Sequence, residues 1–206
     1  MRITAQEKTK DGRMVRIFLD DRYAFSIPSD EYTANHLYEK EELSDDELAH
    51  IRKNILVQAA RVRAVHLLTA RDRSEGELKE RLRRIGFDGD ISQEAVEGLK
   101  TIGYVNDSRY ILKYASDRAK NKAISRKALK YELEQKGIGS DLINETLADF
   151  EQNDDELAFR SAKKKFGKYD LIDPKVELKV MSFLAHRGFS YETSRSVLRR
   201  LKGKEE

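Results

Sequence analysis

The chain has 206 residues, 37% charged and 39% hydrophobic, with a net charge of +3 and no cysteine. No window approaches the roughly 20 apolar residues of a spanning helix, and Met1–Lys8 lacks the apolar run of a secretory signal. Disulfides and thiolate chemistry are excluded, so a cytoplasmic protein with no membrane partner is expected.

Two prolines, no tryptophan and few internal glycines favour helix. The first 27 residues are the exception. Arg2–Lys8 alternates weakly, Lys10–Arg13 is a turn signal, and Met14–Leu19 is rich in β formers. Asp20–Arg22 turns again before Tyr23–Ile27. This predicts a three-stranded antiparallel meander, which needs a partner surface to be stable. A helix from Pro28, with Tyr32, Leu37 and Tyr38 as its apolar positions, is the expected cover, closed by the polar run Glu39–Glu42. Ser44–Glu47 is a capping box. From Leu48 an apolar series through Ile51, Ile55, Ala59 and Val62 runs to about Ala70 and predicts one helix of about 25 residues, or about 38 Å.

The stretch Ser74–Phe87 then recurs. Leu78, Leu82, Gly86 and Phe87 return as Leu129, Leu133, Gly137 and Ile138, and again as Val180, Leu184, Gly188 and Phe189, an offset of 51 residues both times. Apolar residues four apart share a helix face, and a glycine four after the second leucine fits a left-handed helix end. Ser74 and Ser125 read as N-caps. Beyond the glycine, Ile91, Val96 and Leu99 fall on Leu142, Leu147 and Phe150. Three copies in one register mark a repeat, and stacked repeats share a core. The fold expected is mainly α: three tandem three-helix repeats in an elongated array, preceded by a small antiparallel β meander with a helix. The divisions are 1–43 for the N-terminal extension, 44–104 for the long helix and repeat one, 105–153 for repeat two, and 154–206 for repeat three. The terminal Glu205–Glu206 is expected to fray.

Catalytic signals are missing. His36, His50, His66 and His186 show no metal-ligand spacing, and there is no phosphate-binding loop, dinucleotide fingerprint or nucleophile elbow. Asp154–Asp155–Glu156 reads as a helix start. Neither an enzyme, a cofactor nor a metal is expected. Charge is what is organised. Residues 1–50 hold 7 Lys/Arg against 12 Asp/Glu, and residues 51–206 hold 33 against 25. Basic bands alternate with an acidic one, since 137–159 holds seven acids and no base. Arg71, Arg73, Lys79 and Arg83 form the first basic group. Lys120, Lys122, Arg126, Lys127 and Lys130 form the second, and Lys163, Lys164 and Lys165 are the core of the third. Arg195, Arg199, Arg200, Lys202 and Lys204 follow. Such bands suit an extended polyanion, a nucleic-acid backbone or an acidic groove on a protein polymer. They equally suit solvated helices whose lysine stems cover apolar flanks. The nearby aromatics Tyr110, Tyr114, Tyr131, Phe166 and Tyr169 could stack bases, but most stand at core spacing, which favours a core role.

Arg73-Ser74-x-x-Glu77-Leu78-x-x-Arg81-Leu82, followed by Leu99-x-x-x-Gly103-Tyr104-Val105-Asn106-Asp107-Ser108-Arg109-Tyr110, resembles the RecX family of bacterial recombination regulators. Lys136-Gly137-Ile138 and His186-Arg187-Gly188-Phe189-Ser190 fit the same pattern, so the resemblance covers about residues 60–201. It implies an all-α array that binds the RecA recombinase, chiefly its filament on single-stranded DNA. It further implies inhibition of strand exchange, ATP hydrolysis and co-protease activity, restraint of recombination and the SOS response, and in some members direct DNA binding. The chain is expected to act as a monomer. The basic residues named above rest on charge banding and not on the family. A stand-alone nucleic-acid-binding module and a protein adaptor are the competing readings.

Overall fold

The computed structural model describes residues 1–203; Lys204 and the Glu205–Glu206 end lie outside the described residues. The chain divides into two compact units, Met1–Asn106 and Asp107–Glu206.

The first unit opens with strands β1 (Ile3–Lys8), β2 (Met14–Leu19) and β3 (Arg22–Pro28) in the antiparallel order β1-β2-β3. Asp20 and Asp21, at φ +47° and +62°, make a two-residue hairpin turn between Leu19 and its partner Arg22. The expected covering helix is only α1 (Ser29–Ala34), which buries no residue. His36 at φ +51° stops it, and Leu37 is buried from a single 3-10 turn instead. Residues 41–43 do not continue a helix. They run along β1, with Ile3 N–H donating to Glu41 O and Leu43 N–H to Met1 O, both at 2.8 Å, so the outer edge of the sheet is partly paired.

What covers the sheet is the long helix and repeat one. Met14, Val15, Ile17, Leu19, Phe25 and Ile27 share one core with Ile51, Leu56, Leu78, Leu82 and Phe87. The long helix is continuous from Asp45 to Ala70 but not uniform: α2 (Asp45–His50) and α3 (Val57–Ala70) are joined by a π-helical stretch, Ile51–Leu56. Its buried residues are Ile51, Leu56, Val57, Ala60 and Ala64. The expected series Ile51, Ile55, Ala59, Val62 assumes the three- and four-residue steps of a regular α-helix throughout. The π turn takes five between Ile51 and Leu56, which moves the buried face on by one residue and leaves Val62 59% exposed.

Repeat one is completed by α4 (Glu75–Ile85) and α5 (Gly89–Thr101). The second unit holds α6 (Asp107–Asn121), α7 (Arg126–Glu134) and α8 (Ser140–Thr146), then α9 (Asp154–Phe166), α10 (Pro174–Ala185) and α11 (Tyr191–Leu201). The molecule is therefore mainly helical, with three tandem three-helix units after a three-stranded sheet.

The repeated residues act as expected. Ser74 and Ser125 are buried caps that accept from Glu77 N and Ala128 N at 3.1 Å. Gly86, Gly137 and Gly188 sit at positive φ. After each, an apolar N–H reaches back to the helix: Phe87 to Leu82 O, Ile138 to Leu133 O and Phe189 to Leu184 O. That is the Schellman arrangement. The third copy departs at the start of α10, where Asp173 caps and Pro174 takes the first turn. In repeat two the residue buried early in the third helix is Ile143 rather than Leu142.

Candidate partner-binding surface

In the first unit the basic group is largely engaged within the fold. Arg71 pairs with Glu77 at 2.9 Å, and Arg73 Nε donates to Leu67 O at 3.1 Å. Lys79 pairs with Glu75, which also takes Lys100 Nζ from α5 at 3.1 Å. Burial works to raise the Glu75 carboxyl, but Lys79 and Lys100 together hold it below the usual range. Arg83 and Arg84 share Glu80 at 3.0 and 2.8 Å. These arginines and lysines brace α4 one turn at a time, so the band is far less positive than its cation count.

The second unit is arranged differently. The last turn of α6 and the loop that follows it receive one arginine each from repeat three. Arg160 Nη2 donates to Ala119 O at 3.3 Å, and Arg187 Nη1 to Ala123 O at 3.0 Å and Ser161 Oγ at 2.8 Å. Arg187 also lies 4.3 Å over the Phe183 ring, and burial pulls its guanidinium below its ordinary value. Its own carbonyl accepts from Ser125 N–H at 3.0 Å. Around this junction Lys120, Lys122 and Lys127 are exposed and make no ion pair among the described residues. Lys120 ends α6, Lys122 lies in the loop and Lys127 opens α7. The α6–α7 loop is therefore a basic node built from two repeats of one unit.

Four predicted residues, Arg126, Lys130, Lys163 and Lys165, play other parts. Arg126 donates through Nη1 to Phe150 O at 2.9 Å and through Nη2 to Leu147 O, and its N–H meets both Asp154 oxygens at 3.1 Å. It ties off the end of α8 and is a structural residue. Lys130 is spent on Asn144 Oδ1 at 2.6 Å. Lys165 lies 4.4 Å over Phe183 and 5.3 Å over Phe166, whereas Lys163 is 5.5 Å over Phe159. Lys164 is exposed beside them. The aromatics divide as well: Tyr110 and Phe166 are buried, but Tyr131 and Tyr169 are exposed, against their core spacing. Tyr114 is half-buried. Its hydroxyl donates to Glu132 at 2.6 Å and accepts from Arg118 Nη2 at 2.6 Å. Burial, then the Glu132 bond, push its phenol up to about 12.

Family profiles described as the first, second and third three-helix domains of RecX match residues 60–99, 106–147 and 153–198. The regulatory protein RecX of Bacillus velezensis is 30% identical over 202 residues, 96% of this chain and 75% of that protein. The chain belongs to the RecX family. The RecX of Clostridioides difficile is 29% identical over 198 residues, 95% of this chain and 92% of that protein. A crystal structure of a regulatory protein RecX aligns with TM-score 0.62 at 24% identity, covering 96% of this chain and 98% of the other. A RecX crystal structure from Lactobacillus salivarius aligns with TM-score 0.57 at 19% identity, over 71% and 97%. In RecX terms, Arg71, Arg73, Lys79 and Arg83 fall in the first domain, Lys120 to Lys130 in the second, and Lys163 to Lys165 in the third. Sequence banding missed Arg187 and left Arg160 out of the site. Arg160 reaches the last turn of α6 and Arg187 the α6–α7 loop only because two repeats meet there, a proximity that no local pattern encodes. Among the described residues no three His, Asp or Glu side chains gather to hold a metal, and no helix is long and apolar enough to cross a membrane.

Proposed function

We propose that this protein restrains RecA. It binds the recombinase and its nucleoprotein filament, lowers strand exchange, ATP hydrolysis and co-protease activity, and so damps recombinational DNA repair and the SOS response. It acts in the cytoplasm as a monomer, by binding and without a cofactor. The division at residues 43, 104 and 153 is part of the same proposal, with each repeat a separate contact module. One observation carries the reading: in a RecX-family chain, the α6–α7 node keeps Lys120, Lys122 and Lys127 exposed and unspent on internal ion pairs. Lysines in that state are available to phosphates or to acidic side chains. Co-sedimentation with RecA filaments on single-stranded DNA tests it. The chain should pellet with the filaments. A variant with Lys120, Lys122 and Lys127 all changed to Glu should stay in the supernatant while keeping its helical circular dichroism. A wild-type chain that never pellets would reject the proposal.

The same lysines support a second reading, a stand-alone nucleic-acid-binding module. It requires tight binding to single-stranded DNA without RecA, with a logarithmic salt slope that falls by about 0.7 for each phosphate contact removed.

A further inference from the structure

The groove between the second and third helices of a repeat is polar in the first two copies and apolar in the third. In repeat one, Lys79 and Lys100 both meet Glu75 there. In repeat two, Lys130 crosses from α7 to Asn144 on α8. At the offset of 51 residues, Met181 stands in place of Lys79 and Lys130, Leu178 in place of Gly76 and Lys127, and Tyr191 in place of Gly89 and Ser140. The Glu177–Lys202 pair keeps the position of Glu75–Lys100, but no polar bridge replaces the lysine. What remains is an open groove of about 850 Å³ lined by Leu178, Met181, Ala185, Phe189, Tyr191 and Leu198. Leu178 is 71% and Tyr191 69% exposed. Leu178, Met181 and Ala185 follow the i, i+3, i+7 spacing of a helix stripe, on a helix whose other face already buries Val176, Val180 and Leu184. Exposed apolar side chains gathered round one concavity mark an interaction site.

The rim supplies the sign of the partner. Lys175 and Lys179 on α10, with Arg195 and Arg199 on α11, are exposed and make no ion pair among the described residues. Of the acids nearby, Glu177 is held by Lys202 and Asp173 caps α10 by accepting from Lys175 N–H, leaving Glu192. A nucleic-acid backbone suits the rim but not a floor of thioether, alkyl and phenyl groups. The acid-rich run Glu39–Glu47 of a second copy is already committed: residues 41–43 are bonded to the strand edge, and Glu47 is locked in the capping box and to Lys40. We propose that the α10–α11 groove is a docking site for an acidic amphipathic helix of a partner protein, its apolar face on Leu178, Met181 and Tyr191 and its flanking carboxylates on Arg195, which lines the groove, and on the exposed Lys175, Lys179 and Arg199 of the same two helices. This is the helix-in-groove mode with a charge filter added.

The test is fluorescence anisotropy with the full chain and a labelled 17-residue peptide carrying leucines at i, i+4 and i+7 flanked by glutamates. Saturable binding is expected, at least tenfold weaker for Leu178→Glu and for the pair Lys179→Glu with Arg195→Glu, and absent for a peptide with lysines in place of the glutamates. Leu178 is so exposed that its variant should keep the wild-type circular dichroism. Absence of saturable binding would overturn the proposal, as would binding that Leu178→Glu leaves intact. Sedimentation showing a dimer that Leu178→Glu dissociates would assign the groove to a second copy instead. A single-stranded oligonucleotide displacing the peptide with the same sensitivity to Leu178→Glu would assign it to nucleic acid.

Discussion

Gly188 of repeat three lies against Ser125 and Ala128 of repeat two. It has φ +80°, and a Cβ added there would lie 2.6 Å from Ala128 Cβ and 2.7 Å from Ser125 Oγ. Gly188→Ala should therefore carry both the left-handed penalty and an overpacking cost, about 3 kcal/mol together in denaturant unfolding. Gly12→Ala, at φ +69° with nothing within 4 Å, should lose only about 1 kcal/mol. Arg126 and Lys127 are a second contrast between neighbours. Arg126→Ala takes the guanidinium donor from Phe150 O and leaves Leu147 O with the Phe150 N–H alone, and should destabilise by about 1–3 kcal/mol. Lys127→Ala should change stability by less than about 0.5 kcal/mol, yet weaken partner binding. At Tyr114 the folded state holds the phenol proton up to about pH 12, above its ordinary value of 10. The sign follows: this contribution is complete below pH 10 and is lost as pH rises through 12. Alkaline unfolding of the wild type should show that step, and Tyr114→Phe should diminish it, the remainder coming from Tyr23, whose phenol burial and the Asp88 bond also push up to about 12.

Among the elements, the π turn in the long helix is the sharpest case. A π turn holds one residue more than the α turn it replaces, so deleting exposed Asn54 should restore uniform α-helix, with Ile51 and Leu56 then four apart. Thermal melting should show that deletion tolerated, whereas deleting Arg63 from the regular α3 should rotate Ala64 out of the core and unfold the unit. This element also marks how far the sequence was legible. Caps, glycine ends and the repeat were readable because each is fixed by chemistry within about five residues, as in Ser74–Glu77 or Leu82–Phe87. Helix 45–70 was readable in extent, but its buried face was not, since one extra residue per turn leaves no local mark. The same limit applies to α1. Pro28 sets the start of a helix, but His36 ends it in a left-handed conformation that histidine seldom signals. For the basic surface, counting charges located the bands but could not tell Lys127 from Arg126. That distinction depends on whether carbonyls at the end of another helix lie within reach.

Across the whole molecule, the charge separates by unit. Residues 1–106 hold 18 Lys/Arg against 20 Asp/Glu, and residues 107–206 hold 22 against 17. In the first unit Arg71, Lys79 and Arg83 are spent on Glu77, Glu75 and Glu80, while the second leaves lysines exposed at the α6–α7 loop. On the function proposed above, contact with an anionic partner falls to repeats two and three. The most direct test is DNA-dependent ATP hydrolysis by RecA, measured with increasing amounts of this protein. Hydrolysis should fall at equimolar or lower ratios, and the Lys120, Lys122 and Lys127 charge reversal should abolish the effect. An undiminished rate at saturating protein would contradict the account.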